Sequence, residues 1–128
     1  MKIGELIGSS TLMIGPDDTL RSAAKAMVER RVGSCVVVTE DGSPAILTER
    51  DILRATASGV DADQAKVAEY MTPGALTASW SWDPVEAAER MRSGGFRHLI
   101  VMADDGSIAG VLSMRDLMGV LLDERKSG

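Results

Sequence analysis

The chain repeats itself, and this limits what it can fold into more than any other feature. Glu69 repeats Glu5 at an offset of 64 residues, and the same offset pairs Ile3 with Val67, Leu12 with Leu76, Ala23-Ala24 with Ala87-Ala88, Met27 with Met91 and Asp41-Gly42-Ser43 with Asp105-Gly106-Ser107. One inserted residue then moves the offset to 65, where Leu47-Thr48 pairs with Leu112-Ser113 and Arg50-Asp51 with Arg115-Asp116. Matches that keep their order over nearly the whole chain mark a duplicated unit. A unit of about 60 residues buries too little apolar surface to be secure alone. Two copies, residues 1–60 and 67–128 with a linker at 61–66, are therefore expected to complete each other as one pseudo-symmetric globule with grooves between the copies.

Each copy reads as a short strand, a helix, two strands and a second helix. Leu20, Ala23, Ala24, Met27 and Val28 form one apolar stripe at helical spacing, with Thr19 or Asp18 available to cap its start. In the second copy Asp83 precedes Pro84 and Glu86 follows three residues after Asp83, the pattern of an N-cap, a first-turn proline and a capping-box carboxylate. Cys35-Val36-Val37-Val38 and Leu99-Ile100-Val101-Met102 are unbroken apolar runs, expected to be strands buried on both faces. Asp-Gly turns follow, then short strands at Ala45–Leu47 and Ile108–Leu112 and helices over about 49–58 and 114–123. The fold class is α+β, an α/β sandwich-like arrangement of two β-α-β-β-α repeats.

Composition removes several functions. The single cysteine, Cys35, allows no internal disulfide and no cysteine-based zinc site, and with one histidine, His98, no metal site is expected. No apolar run reaches the ~18–20 residues of a membrane span, and the N-terminus lacks the apolar stretch of a signal peptide, so the cytoplasm is the expected compartment. The 128 residues carry 14 basic and 19 acidic groups, a net charge of −5. That charge argues against nucleic acid and anionic membranes as partners. No spaced metal ligands, phosphate-binding glycine loop or nucleophile–base pair occurs, so no catalytic residue and no enzyme activity are expected.

The repeated segments resemble a tandem pair of CBS (cystathionine β-synthase) domains, a Bateman module, over residues 3–125. The carriers are Leu20-x-x-Ala23-Ala24-x-x-Met27, the Asp-Gly strand connection, Ile46-Leu47-Thr48-Glu49-Arg50-Asp51-Ile52-Leu53, and in the second copy Gly110-Val111-Leu112-Ser113-Met114-Arg115-Asp116-Leu117. The segments depart from the pattern at two places. Neither Cys35-Val36-Val37 nor Leu99-Ile100-Val101 has the usual proline, and Ala45 replaces a common glycine, changes that bear on pocket shape.

The resemblance implies regulatory binding of an adenosine compound (AMP, ADP, ATP or S-adenosylmethionine) between the copies, with no cofactor required. It makes Thr48 with Asp51, and Ser113 with Asp116, the ribose motifs: the Asp accepts from the ribose hydroxyls and the Thr or Ser contacts ribose or phosphate. Arg97 and His98, and the motif neighbours Arg50 and Arg115, are the phosphate candidates. Adenine walls fall by position on Leu12, Met13, Ile14, Cys35 and Val36, and on Leu76, Thr77, Ala78, Leu99 and Ile100. The chemistry is sound by itself. A Thr or Ser opening a helix leaves backbone N–H groups and a dipole that favour phosphate. The same spacing also fits a plain capping box in which both side chains serve their own helix, and both readings stand at this point. At the positions of Arg97 and His98 the first copy has Gly33 and Ser34, so the two sites are expected to differ in charge.

Trp80 and Trp82, spaced to share one face of an extended segment, have three roles open to them: stacking on a base, burial, or contact with a partner. Ile52, Leu53, Leu117, Met118, Leu121 and Leu122 offer a helix face for a homodimer. The function expected is a ligand-sensing module that shifts dimer populations and acts on a separate effector protein. The competing expectation is a ligand-free dimerisation scaffold.

Overall fold

In the computed structural model, residues 1–7, 11–73 and 75–127 are described, with side chains through residue 123. The elements are a 3-10 turn (Ile3–Leu6), β1 (Met13–Ile14), α1 (Leu20–Arg30), β2 (Ser34–Val38), β3 (Pro44–Thr48), α2 (Glu49–Ala57), α3 (Val67–Tyr70), β4 (Thr77–Ser79), α4 (Pro84–Gly94), β5 (His98–Met102), β6 (Ile108–Ser113) and α5 (Met114–Ser127). Mixed helix and strand with two three-stranded sheets, ordered β1-β2-β3 and β4-β5-β6, matches the fold class read from the sequence. In each sheet the first pair is parallel and the second antiparallel, because a crossover helix joins the first two strands and an Asp-Gly turn the next two.

Local chemistry sets the element ends. Thr19 Oγ1 accepts the Ser22 N–H at 3.1 Å and starts α1. Asp83 Oδ1 accepts the Val85 N–H at 2.7 Å and starts α4. Glu86 does not turn back to cap: its carboxylate lies 3.6 Å from Arg90, whose guanidinium sits 4.6 Å over the Trp82 ring. An i,i+4 partner backed by an aromatic face draws Glu86 outward. In the turns, Gly42 and Gly106 take φ +82° and +85°, a left-handed backbone that a side chain would strain. Asp41 and Asp105 hold those turns through Ser43 and Ser107.

The molecule divides into two compact units, residues 10–75 and residues 1–9 with 76–128. In the first, Leu20, Ala23 and Met27 of α1 and Ala55 of α2 pack with Cys35, Val37, Ala45 and Leu47 of the sheet. In the second, Ala87 and Met91 of α4 and Leu117 of α5 pack with Ala78, Leu99, Val101 and Leu112. The stretch 61–66 is docked rather than slack. Leu20 N–H donates to the Ala65 carbonyl at 2.9 Å and Arg21 N–H to that of Ala62 at 3.0 Å, and Arg21 pairs with Asp63.

The packing units are not the sequence copies. Ile3–Leu6 begins the first copy yet packs in the second unit, where Ile3 is fully buried. α3 begins the second copy yet packs in the first, where Val67 is fully buried. The bonds are equivalent under the 64-residue offset. Ile3 and Gly4 N–H donate to the Trp82 and Trp80 carbonyls at 2.8 and 3.0 Å, and Val67 and Ala68 N–H to those of Asp18 and Pro16 at 2.8 and 2.9 Å. Each copy thus lends its leading turn to the other's unit.

This exchange assigns the tryptophans. Trp80 and Trp82 are half-buried against the second core, and Trp80 forms a turn with Ser81 rather than sharing an extended strand with Trp82. The Trp80 ring lies on Gly4, where an added Cβ would fall 1.8 Å from Trp80 Cδ2. The expected dimer face is also smaller than its sequence pattern. Leu117 is fully buried in its own core and Ile52 packs against the first, whereas Leu53, Met118 and Leu122 are exposed.

Candidate functional site

Both Thr/Ser-x-x-Asp motifs lie where an antiparallel strand turns into a helix. Thr48 ends β3 and opens α2. Its Oγ1 accepts the Asp51 N–H at 3.2 Å, and Asp51 Oδ2 accepts the Thr48 N–H at 2.9 Å. Ser113 ends β6 and opens α5, with the same reciprocal bonds to Asp116 at 3.0 and 3.1 Å. Each motif is therefore a capping box. Capping uses one carboxylate oxygen, and a carboxylate has about four acceptor sites, so a cap alone does not exhaust it.

The surroundings of the two carboxylates differ. Asp51 is only 8% exposed, and a residue beyond its own repeat reaches it: the Thr72 hydroxyl donates to Oδ1 at 3.2 Å, with Oδ2 at 3.4 Å. Thr72 is fixed by a two-bond bridge to β3, its N–H donating to the Ile46 carbonyl at 2.8 Å and its carbonyl accepting the Ile46 N–H at 3.1 Å. Asp116 is exposed, and among the described residues its Oδ1 accepts no hydrogen bond. The residue matching Thr72 at the 64-residue offset is Gly8, which has no hydroxyl and lies outside the described residues. Sequence reasoning missed Thr72. Its contact spans 21 residues, and the only signal for it was this unequal pair at matched positions.

Charge separates the motifs further. The carbonyl of Gly33 accepts the Glu49 N–H at 3.0 Å, and the Glu49 carboxylate lies against Gly33, with Oε1 3.4 Å from where a Cβ would stand. At the equivalent place in the second unit the carbonyl of Arg97 accepts the Met114 N–H at 2.7 Å. The first motif therefore sits among Glu49, Arg50 and Asp51, and the second among Arg97, Arg115 and Asp116. Arg50, Arg97 and Arg115 are exposed and form no ion pair among the described residues. His98 is half-buried and stands opposite Ser113 in the β5–β6 register, as Ser34 stands opposite Thr48. Directly opposed residues are side-chain neighbours, so Arg97, His98, Ser113 and Asp116 come together at one end of the second sheet.

The proposed adenine walls split between two sheet faces. Cys35, Leu99 and Ala78 belong to the helix-covered cores, with Leu12, Ile14 and Leu76 packed against them. Met13, Val36 and Ile46 share the other face of the first sheet, and Thr77, Ile100 and Val111 that of the second. On those faces Met13 and Thr77 are exposed, while Val36 and Ile100 are buried. Burial, and secondarily the negative Asp51, pushes the Cys35 thiol up to about 12. The thiol is thus neutral at physiological pH and packs as a small apolar group, its Sγ 3.7 Å from the Leu47 carbonyl. Among the described residues no three His, Cys, Asp or Glu side chains gather into a metal-binding group, and no helix is long and apolar enough to cross a membrane.

Known proteins resemble this chain over nearly its whole length. The chain is 35% identical over 123 residues to an uncharacterized 17.7 kDa protein of the bps2 3′ region of Acidianus ambivalens, covering 95% of this chain and 74% of that one. It is 31% identical over 123 residues to the CBS domain-containing protein CBSCBSPB3 of Arabidopsis thaliana, covering 94% of this chain but only 22% of that protein. Among solved structures, the CBS domain protein PAE2072 from Pyrobaculum aerophilum, complexed with AMP, superposes with a TM-score of 0.83 at 32% identity, covering 96% of this chain and 97% of that one. The CBS domain family pattern matches twice, at residues 3–58 and 67–123, so this chain belongs to the CBS domain family, as a tandem pair.

Proposed function

We propose that this chain is a regulatory module that binds an adenosine nucleotide and passes its occupancy to a separate effector protein, without chemistry of its own. The observation that carries the reading is the likeness to the AMP-complexed P. aerophilum protein over nearly the full length of both chains. The second motif has the matching chemistry. Asp116 Oδ1 is available to ribose hydroxyls, the first turn of α5 offers backbone N–H groups, and Arg97 and Arg115 supply positive charge for a phosphate. Transmission follows if the nucleotide prefers one arrangement of a homodimer built on the exposed Leu53, Met118 and Leu122.

Calorimetric titration with AMP, ADP, ATP and S-adenosylmethionine tests this. Binding of at least one is expected, together with a rise in Tm on nucleotide addition. Absence of binding to all four at millimolar ligand would sink the reading. Arg97→Ala is expected to weaken AMP but not adenosine, and equal weakening of both would remove Arg97 from the phosphate. The reciprocal capping at both motifs favours one other reading, a ligand-free dimerisation scaffold, for which a dimer indifferent to every adenosine compound is the expected result.

A further inference from the structure

We infer that the two ribose motifs are not equivalent, and that Thr72 makes the difference: its hydroxyl latches Asp51 into a structural role and leaves the Ser113–Asp116 motif as the chain's one nucleotide acceptor. This rests on the adenosine reading above for the second motif; the latch itself rests on geometry alone. A ribose presents two neighbouring hydroxyls, each of which needs an acceptor. Asp51 has Oδ2 occupied by the Thr48 N–H, while the Thr72 hydroxyl spans Oδ1 and Oδ2 at 3.2 and 3.4 Å. A ribose would have to displace a hydroxyl whose backbone is held by two bonds to Ile46, and reach a carboxylate only 8% exposed. The Glu49 carboxylate beside Gly33 adds negative charge where a phosphate would lie. At Asp116 none of these obstacles is present among the described residues: the carboxylate is exposed, Met114 stands in place of Glu49 at the 65-residue offset, and Arg97 in place of Gly33.

The latch also explains why a buried carboxylate is tolerated. A charge out of water needs hydrogen bonds to offset its lost hydration, and Thr72 adds a second donor to the one that the cap supplies. Because Thr72 lies beyond α3, the contact also ties the end of the exchanged segment to the start of α2.

The experiment is AMP titration of wild type, Thr72→Ala, Thr72→Ser and the Thr72→Ala/Asp51→Asn double variant, with a melting-temperature cycle on the same proteins plus Asp51→Asn. Wild type and Thr72→Ser are expected to bind one AMP per chain. Thr72→Ala is expected to bind two, the second site vanishing again in the double variant. In the cycle, Asp51→Asn lowers Tm by about 3–6 °C, and the loss is smaller once Thr72 is already alanine. Two AMP per wild-type chain, one AMP per Thr72→Ala chain, or Tm losses that simply add would each overturn the latch. If wild type binds no nucleotide, the adenosine reading falls, and the Tm cycle still decides for or against the latch.

Discussion

Set side by side, the two units share one strand order and pairing pattern and are unlike in what surrounds their shared motif. Both place a Thr or Ser at a strand end and an Asp three residues into the next helix, and both close the same reciprocal bonds. In the first unit the carboxylate is buried, latched by Thr72 and neighboured by Glu49. In the second it is exposed and neighboured by Arg97 and Arg115. Duplication therefore preserved the element that folds a unit and let the groups around it diverge. A cap is required twice because each helix has N–H groups to satisfy, whereas a ligand needs only one open carboxylate.

The comparison can be broken most sharply at the exchanged turns. Ile3→Ala removes a fully buried side chain from the second core and is expected to cost about 2–5 kcal/mol in denaturant unfolding. Val67→Ala should do comparable damage to the first unit. A loss below about 1 kcal/mol at Ile3 would show that the N-terminal turn does not fill that core. Next, Asp116→Ala is expected to weaken AMP about ten- to hundred-fold, the equivalent of about 1.5–3 kcal/mol for hydrogen bonds to a charged group. Unchanged affinity by calorimetry would make Asp116 a cap and nothing more.

Smaller effects sharpen the comparison. Gly4→Ala drives a methyl group into the Trp80 ring and should cost about 1–3 kcal/mol. Its counterpart Ala68→Gly, at an exposed position, should cost no more than about 1 kcal/mol. Equal costs would mean that the two turns dock alike. The smallest difference lies in the Asp-Gly turns. Hydrogen bonds from Ser43 and Thr39 hold Asp41 down from 3.8 to about 2, while Asp105 is lowered chiefly by Ser107 and has no counterpart of Thr39, Ala103 standing in that place. A depressed carboxyl stabilises the fold above its unfolded value and loses that contribution as pH falls through the folded one. The Asp41 turn should therefore loosen between pH 3.8 and about 2. Carboxyl NMR titration should find Asp41 protonating below Asp105, and the reverse order would contradict the part given to Thr39.

What was legible in the sequence was what neighbouring residues decide. The caps at Thr19 and Asp83, the Asp-Gly turns and the strand and helix order all follow from side chains acting within a few residues. Glu86 failed as a capping residue because Arg90, itself held over the Trp82 ring, draws its carboxylate away. Leu117 failed as a dimer contact because an apolar stripe does not say which of its members its own core will take. The capping box was legible too, but its spacing is the same whether or not a ligand shares the carboxylate.

The sequence by itself determined two copies, their elements and two chemically complete motifs, because periodicity and capping are read out locally. Only the tertiary structure decided that the leading turns trade units, that Gly4 must be bare to lie against Trp80, and that Asp51 but not Asp116 is covered. Those outcomes depend on contacts between residues 21 or more positions apart, and a repeat that writes the same local pattern twice cannot say which copy such contacts will reach.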